Sequence, residues 1–188
     1  MRICSEIVMS DITIRQAEHC DIEQLLQIYS YYVTDTAITF EYDVPSLKQF
    51  TDRYLNITEV YPYIIAEIGN VIVGYAYASR FHERKAYDRC AEITIYVDKD
   101  RHGQGIGKML YSELERILRV MNITNMYACI AVPEIDDEYL TRNSIDFHEH
   151  LGYQKIGEFH KCGYKFGRWY NMVWAEKLIG HIAPAHQK

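Results

Sequence analysis

The stretch that most constrains this chain runs from Ile93 to Met121, where a β-branched segment, a cluster of glycines and an amphipathic run follow one another. Ile93-Thr94-Ile95-Tyr96-Val97 favours an extended backbone, and Asp98-Lys99-Asp100-Arg101-His102 breaks it. Gly103-Gln104-Gly105-Ile106-Gly107 then opens a run in which Ile106, Leu110, Leu114, Ile117 and Met121 recur at helical spacing, with Met109 and Leu118 beside them. A buried helix is expected to begin in the glycines. Three glycines in five residues leave helix-start amides open to a ligand, with the helix dipole behind them, which makes an anion site suited to phosphate. Lys99, Arg101, His102 and Lys108 add a local positive island. The alternative is a turn that only caps a packed helix. The spacing Gly-x-Gly-x-Gly meets neither the Rossmann fingerprint nor the P-loop, which argues against dinucleotides and nucleoside triphosphates.

At 188 residues the chain suits one domain, expected over 12–180, with an N-terminal extension at 1–11 and a C-terminal tail at 181–188. No apolar run reaches the roughly 20 residues of a membrane span, and the amino terminus lacks a signal-peptide pattern, so a cytoplasmic protein without a membrane partner is expected. Cys4, Cys20, Cys90, Cys129 and Cys162 are odd in number and form no Cys-x-x-Cys pair, so they read as reduced thiols. A net charge of −6 disfavours a nucleic-acid partner. Eight histidines without zinc-type spacing give no reason to expect a metal.

Taken in order, Ile12-Thr13-Ile14-Arg15 reads as a first strand, and Asp21 can cap a helix with Ile22, Leu25, Leu26, Ile28 and Tyr29 on one face. Tyr31 to Glu41 reads as a loop, either a pocket wall or an inter-helix segment packed on the core. Ser46 can cap a second helix containing Leu47, Phe50 and Tyr54. Residues 63–68 and 71–78 flank Gly69-Asn70, a hairpin signal. Phe81 to Asp88 is a polar break, and Met126 to Ala131 a strand ended by Pro133. Glu134 to Glu138 reads as a solvated acidic stretch. A short helix is expected over Asn143 to Leu151, stopped by Gly152. Two strands, 153–159 and 169–176, should close the fold around a polar loop at 161–168. The order is mixed α and β, with hairpins at both ends and helical crossovers between.

Gln104-Gly105-Ile106-Gly107 after a β-branched strand, followed by His148-Glu149-His150-Leu151-Gly152-Tyr153, resembles the GNAT superfamily of acetyl-CoA-dependent N-acetyltransferases. Arg84-Lys85-Ala86-Tyr87-Asp88, Glu92-Ile93-Thr94-Ile95-Tyr96-Val97 and Tyr164-Lys165-Phe166-Gly167-Arg168-Trp169 bring it closer to the phosphinothricin and L-amino-acid N-acetyltransferase branch. The resemblance runs from about Ile12 to Leu178. It implies an α+β fold: a mixed, mostly antiparallel sheet of six to seven strands, flanked by about four helices and splayed at the cofactor cleft. It also implies acetyl-CoA as co-substrate, a small-molecule amine as acceptor and a homodimer. Ile95, Tyr96 and Val97 would face the pantetheine arm, and His102, Gly103, Gln104, Gly105, Ile106, Gly107 and Lys108 would hold the pyrophosphate. His102 stands where the family has Arg or Gln. Thr141 stands where the family has Asn, so Asn143 is assigned to the cofactor in its place.

Transfer of an acyl group to an amine needs a group to take the amine's proton and one to return a proton to the thiolate. Glu92 is the branch's usual base, unless it is a salt-bridged glutamate at a strand entrance. His148 stands where many members have a tyrosine that protonates the sulfur, unless it is a helix histidine satisfied by a neighbour. Arg84 matches the family's substrate arginine, unless it is a solvated loop charge, and Phe40, Tyr87 and Tyr164 would wall the same pocket. Arg168 is a second candidate cation, equally readable as structural. The acceptor implied is a small amino acid or an analogue such as phosphinothricin, methionine sulfone or methionine sulfoximine. A peptide N-terminus or polyamine, favoured by an acidic groove at Glu134 to Glu138, is the alternative acceptor, and a non-catalytic acyl-CoA sensor the alternative class.

Overall fold

The fold is set by a sheet in which one pair of neighbours runs parallel and the rest antiparallel. A computed structural model describes residues 12–180; the extension expected at 1–11 and the tail at 181–188 lie outside the described residues. The strands are β1 (Thr13–Gln16), β2 (Tyr63–Ile68), β3 (Val71–Arg80), β4 (Cys90–Val97), β5 (Asn125–Val132), β6 (Gln154–Lys165) and β7 (Arg168–Leu178). They form one sheet in the order β1-β2-β3-β4-β5-β7-β6. Only β4 and β5 pair in parallel, as a crossover through a helix requires. The helices are α1 (Ile22–Thr34), α2 (Leu47–Thr58), α3 (Ile106–Val120) and α4 (Asn143–His150). The fold class implied by the resemblance is the one observed.

Each face of the sheet carries its own core. On one, α3 brings Ile106, Leu110, Leu114 and Leu118 down on Ala76, Ala78, Ala91 and Ile93, small side chains that let a helix lie close. On the other, Leu25, Tyr29, Tyr32, Phe50 and Tyr54 from α1 and α2 cover Tyr63, Ile65 and Tyr75. The hairpin expected at Gly69-Asn70 is present, with φ of 55° and 67°, the left-handed pair that a two-residue turn needs. Ser46 caps α2 as expected: its hydroxyl accepts from the Gln49 amide at 3.3 Å, while Gln49 accepts from the Ser46 amide at 2.8 Å. Asp21 precedes α1 but does not cap it. Its carboxylate takes two Arg15 nitrogens at 2.7 and 2.9 Å and the Glu18 amide at 2.7 Å.

Three further expectations change. The segment read as a loop from Tyr31 starts later, because α1 continues to Thr34. The polar loop expected at 161–168 is mostly strand, since β6 and β7 pair down to Lys165–Arg168 and turn at Phe166-Gly167. A bulge between Phe159 and Gly163 absorbs the irregular polarity. The acidic stretch is not simply solvated: Asp137 accepts from the Tyr139 and Leu140 amides, at 2.8 and 2.9 Å, and from the Tyr170 hydroxyl at 3.0 Å. Arg168 bridges Asp137 and Glu138 at 3.0 and 2.9 Å, so it is a structural clasp on β7.

Candidate active site

β4 and β5 pair only at Cys90–Glu92 with Asn125–Tyr127. Beyond Glu92 the strands part, and a cleft of about 460 Å³ opens between them. Ile93–Tyr96 of β4 and Ala128–Ala131 of β5 form its walls, with Tyr111 and His148 on one side and Ile38, Thr39 and Phe40 on the other. β4 stays bonded to β3 through Val97, so its other edge is free to pair with an extended ligand.

The glycine turn follows the C-terminal end of β4, and Ile95 of the cleft wall packs against Gly107. Gly103 and Gly105 have φ of 76° and 80°, and a Cβ at either would meet nothing within 4 Å. Backbone conformation, together with the open space above it, accounts for glycine here. Gly105 forms the N-cap of α3 without a side-chain cap, and among the described residues no backbone carbonyl accepts from the amides of Ile106, Gly107 or Lys108. Three unpaired donors at a helix start fit a phosphate. Gly107 has a different reason: a Cβ there would lie 2.9 Å from Phe147 Cζ, so its absence lets α4 pack against α3. Ile106 is buried in the core and can offer a ligand only its backbone.

At the inner end Glu92 alternates with Thr94 and Tyr96 on the face covered by α1 and α2, where period-two spacing puts it. It is half-buried, and no hydrogen bond or ion pair engages it among the described residues, so the salt-bridged alternative is set aside. Burial raises its carboxyl above the ordinary range, and His82 opposes this. Cys129 lines the same cleft, but burial, with Glu92 and Cys162 nearby, pushes its thiol up to about 12. It stays protonated and is a poor nucleophile.

His148 lines the cleft as expected, with both ring nitrogens hydrogen-bonded. Its Nδ1 lies 2.7 Å from the Ser144 carbonyl, which can only accept, so Nδ1 carries the proton. Nε2 then accepts from the Tyr111 hydroxyl at 3.0 Å. Burial lowers the imidazole to about 4, so the ring is neutral at pH 7 and is no proton donor near neutrality. Tyr111, a buried residue of α3 that its sequence position marks only as core, keeps its proton, because burial raises its hydroxyl well above the ordinary tyrosine range. The same burial predicts a pH effect on folding. A histidine depressed from 6.5 to about 4 adds stability above pH 6.5 that is lost as pH falls toward 4. Between pH 7 and pH 5 this one group should account for about 2 kcal/mol. Urea titrations of wild type and His148→Gln at both pH values check it; an equal loss in the two proteins assigns the effect elsewhere.

Of the remaining candidates, Ile95 and Tyr96 line the cleft, as does Phe40, whose ring lies over Gly163 where a Cβ would approach within 2.3 Å. The Val97 carbonyl already accepts from the Tyr32 hydroxyl. His102 Nε2 sits 2.9 Å from that hydroxyl and 3.2 Å from that carbonyl, so its ring braces the end of β4. Gly103, Gln104, Gly105 and Lys108 are exposed at the turn. Asn143 is exposed at the start of α4, where Ser144 is the residue that reaches the cleft. Arg84 and Tyr87 lie exposed on the turn before β4, outside the cleft lining. Tyr164 is also outside it, against Trp169 at 4.9 Å between ring centroids.

A family model described as an acetyltransferase (GNAT) domain matches residues 14–174. The chain is 28% identical over 173 residues to phosphinothricin N-acetyltransferase of Streptomyces viridochromogenes, covering 92% of this chain and 91% of that one. It is 28% identical over 179 residues to the L-methionine sulfoximine/L-methionine sulfone acetyltransferase of Salmonella typhimurium, covering 92% and 98%. Among solved structures it is similar to a phosphinothricin acetyltransferase from Sinorhizobium meliloti in complex with AcCoA, with a TM-score of 0.82, 32% identity, and coverage of 90% and 89%.

Proposed function

Because the chain belongs to the GNAT acetyltransferase family, we propose that it moves an acetyl group from acetyl-CoA to the amine of a small amino acid or analogue, of the phosphinothricin or methionine sulfone type. The observation that carries this reading is the parting of β4 and β5 beside an uncommitted, half-buried glutamate. The free edge of β4 holds the pantetheine arm through main-chain groups, and the amides of Gly103 to Lys108 take the diphosphate. Bound in this way, the thioester supplies an activated acetyl carbon. Glu92 takes a proton from the acceptor amine, directly or through water, and the amine attacks without a covalent enzyme intermediate. The departing thiolate takes its proton from water, while Tyr111, hydrogen-bonded to His148, lines that side of the cleft. The scattered thiols suit a reducing cytoplasm, and the exposed Ile156, Phe159 and Trp169 of β6 and β7 offer a second copy a surface to cover. Among the described residues no helix is long and apolar enough to cross a membrane.

The acidic groove that would favour a peptide or polyamine acceptor is not free, because Asp137 and Glu138 pair with Arg168 and Lys161 approaches Glu134 to 3.8 Å. Thiol release from acetyl-CoA over a panel of free amino acids, peptides and polyamines tests the proposal. Turnover of free amino acids is expected. Turnover confined to peptides or polyamines, or binding of acetyl-CoA with no turnover at all, would overturn it.

A further inference from the structure

On the α1 and α2 face lies a second cavity of about 310 Å³ walled by Tyr29, Tyr63, Tyr75, Tyr77 and Tyr96, with the half-exposed Arg53 of α2 in its lining. It shares Tyr77 and Tyr96 with the Glu92 cleft, so both spaces border those two rings. Tyr63, Tyr75 and Tyr77 stack within 18° of parallel, with Tyr63 and Tyr77 4.7 Å apart, which makes the wall stiff. The size is that of a ligand site. Among the described residues Arg53 is the only lysine or arginine in the lining of either cavity, because Arg84 lies outside both. One Arg53 nitrogen sits 2.7 Å from Glu41 Oε1, which anchors the guanidinium and leaves most of its donors uncommitted.

Resting on the acetyltransferase reading, we propose that this chamber receives the acceptor's side chain and that Arg53 selects acceptors whose side chain ends in an oxyanion. The amine sits beside Glu92 in the cleft, the chain passes over Tyr77 and Tyr96, and the anionic end meets the free part of the guanidinium fork. The tyrosine rings cover the aliphatic stem. Glu41 keeps Arg53 aimed when no acceptor is present.

Phosphinothricin and methionine sulfone make a direct test, since both carry a tetrahedral head with a methyl group and the phosphinate is charged while the sulfone is neutral. Wild type should favour phosphinothricin. Arg53→Met should cut kcat/KM for phosphinothricin by about tenfold or more, leave methionine sulfone within about twofold and leave the KM for acetyl-CoA unchanged; Arg53→Lys should restore part of the loss. If Arg53→Met unsettles the loop that Glu41 belongs to, the double variant Arg53→Met/Glu41→Gln keeps the charge balanced and should show the same selective loss. An equal loss on both acceptors would mean that Arg53 holds their shared α-carboxylate or only shapes the site, and no loss on either would leave it a surface partner of Glu41; each of these outcomes overturns the inference. A wild-type preference for lysine would mean the chamber reads a cation through Glu41; this outcome also overturns the inference. If no amino acid is turned over, the acetyltransferase reading fails instead. Titration of phosphinothricin and methionine sulfone against tyrosine fluorescence then decides Arg53 independently: tighter phosphinothricin binding that Arg53→Met abolishes upholds it, and equal binding refutes it.

Discussion

Glu92→Gln lowers kcat/KM toward an amino-acid acceptor by about 10²–10⁴-fold, the usual contribution of a positioned general base. The size follows from what surrounds the carboxylate. No cation or donor engages it, so its lone pairs are free for an ammonium or a bridging water. Burial holds its proton affinity above that of an ordinary glutamate, nearer the working pH. A base must be deprotonated to act, so the wild-type rate falls as pH drops through this raised value, and Glu92→Gln loses that acid limb. The acceptor's own ammonium adds a rise toward alkaline pH in both proteins, and the difference between the two profiles isolates Glu92. Stability moves the other way. A carboxyl whose folded value is raised contributes stability at low pH that disappears as pH climbs through that value, so at pH 7 the neutral glutamine should melt no lower than wild type. Parallel pH–rate profiles, or a drop in Tm that tracks the lost activity, would remove Glu92 from the chemistry.

What the sequence could tell about this site depended on the distance over which each signal acts. The strand, glycine turn and helix from Ile93 onward were legible because β-branching, positive φ and helical periodicity are local properties of adjacent residues. Glu92 was legible by the same logic, being one alternation away from Thr94 and Tyr96. Tyr111 was not, since its spacing on α3 marks it as core, and only the packing of α4 brings His148 to its hydroxyl. Arg53 was hidden similarly: on α2 it reads as a solvated helix charge until the tyrosines of β2, β3 and β4 stack beneath it. Arg84 shows what a motif match leaves open: the match assigns it to the substrate, and the turn before β4 leaves its side chain exposed beyond the cleft lining. The loop assigned to 161–168 failed because charge normally marks solvent. Lys165, among the most buried residues of the chain, is an exception.

That lysine carries the second large expectation. Its ammonium donates to the carbonyls of Val33 and Thr39, each at 2.8 Å, with no carboxylate bonded to it. Val33 belongs to the last turn of α1, where unpaired carbonyls and the helix dipole favour a cation, and Thr39 begins the cleft wall that continues into Phe40. One buried side chain on β6 therefore ties the end of a helix to the loop that shapes the acceptor side of the cleft. Burial lowers its proton affinity, and Glu41 nearby works against that, so charge is retained at a cost in solvation. Lys165→Met keeps most of the volume but leaves two carbonyls without donors, at about 1–3 kcal/mol each. Relief of the buried charge offsets part of this, for a net loss of about 2–4 kcal/mol, or roughly 5–15 °C in Tm for a domain of this size. The kinetic signature is more specific than the thermal one. With the 38–40 segment released, KM for the amino acid should rise severalfold while KM for acetyl-CoA changes less, because Lys165 bonds neither the glycine turn nor β4 directly. If Lys165→Met weakens both substrates alike, the loss is global softening; if it melts like wild type with unchanged acceptor KM, the two carbonyls find other donors and the lysine does not shape the pocket.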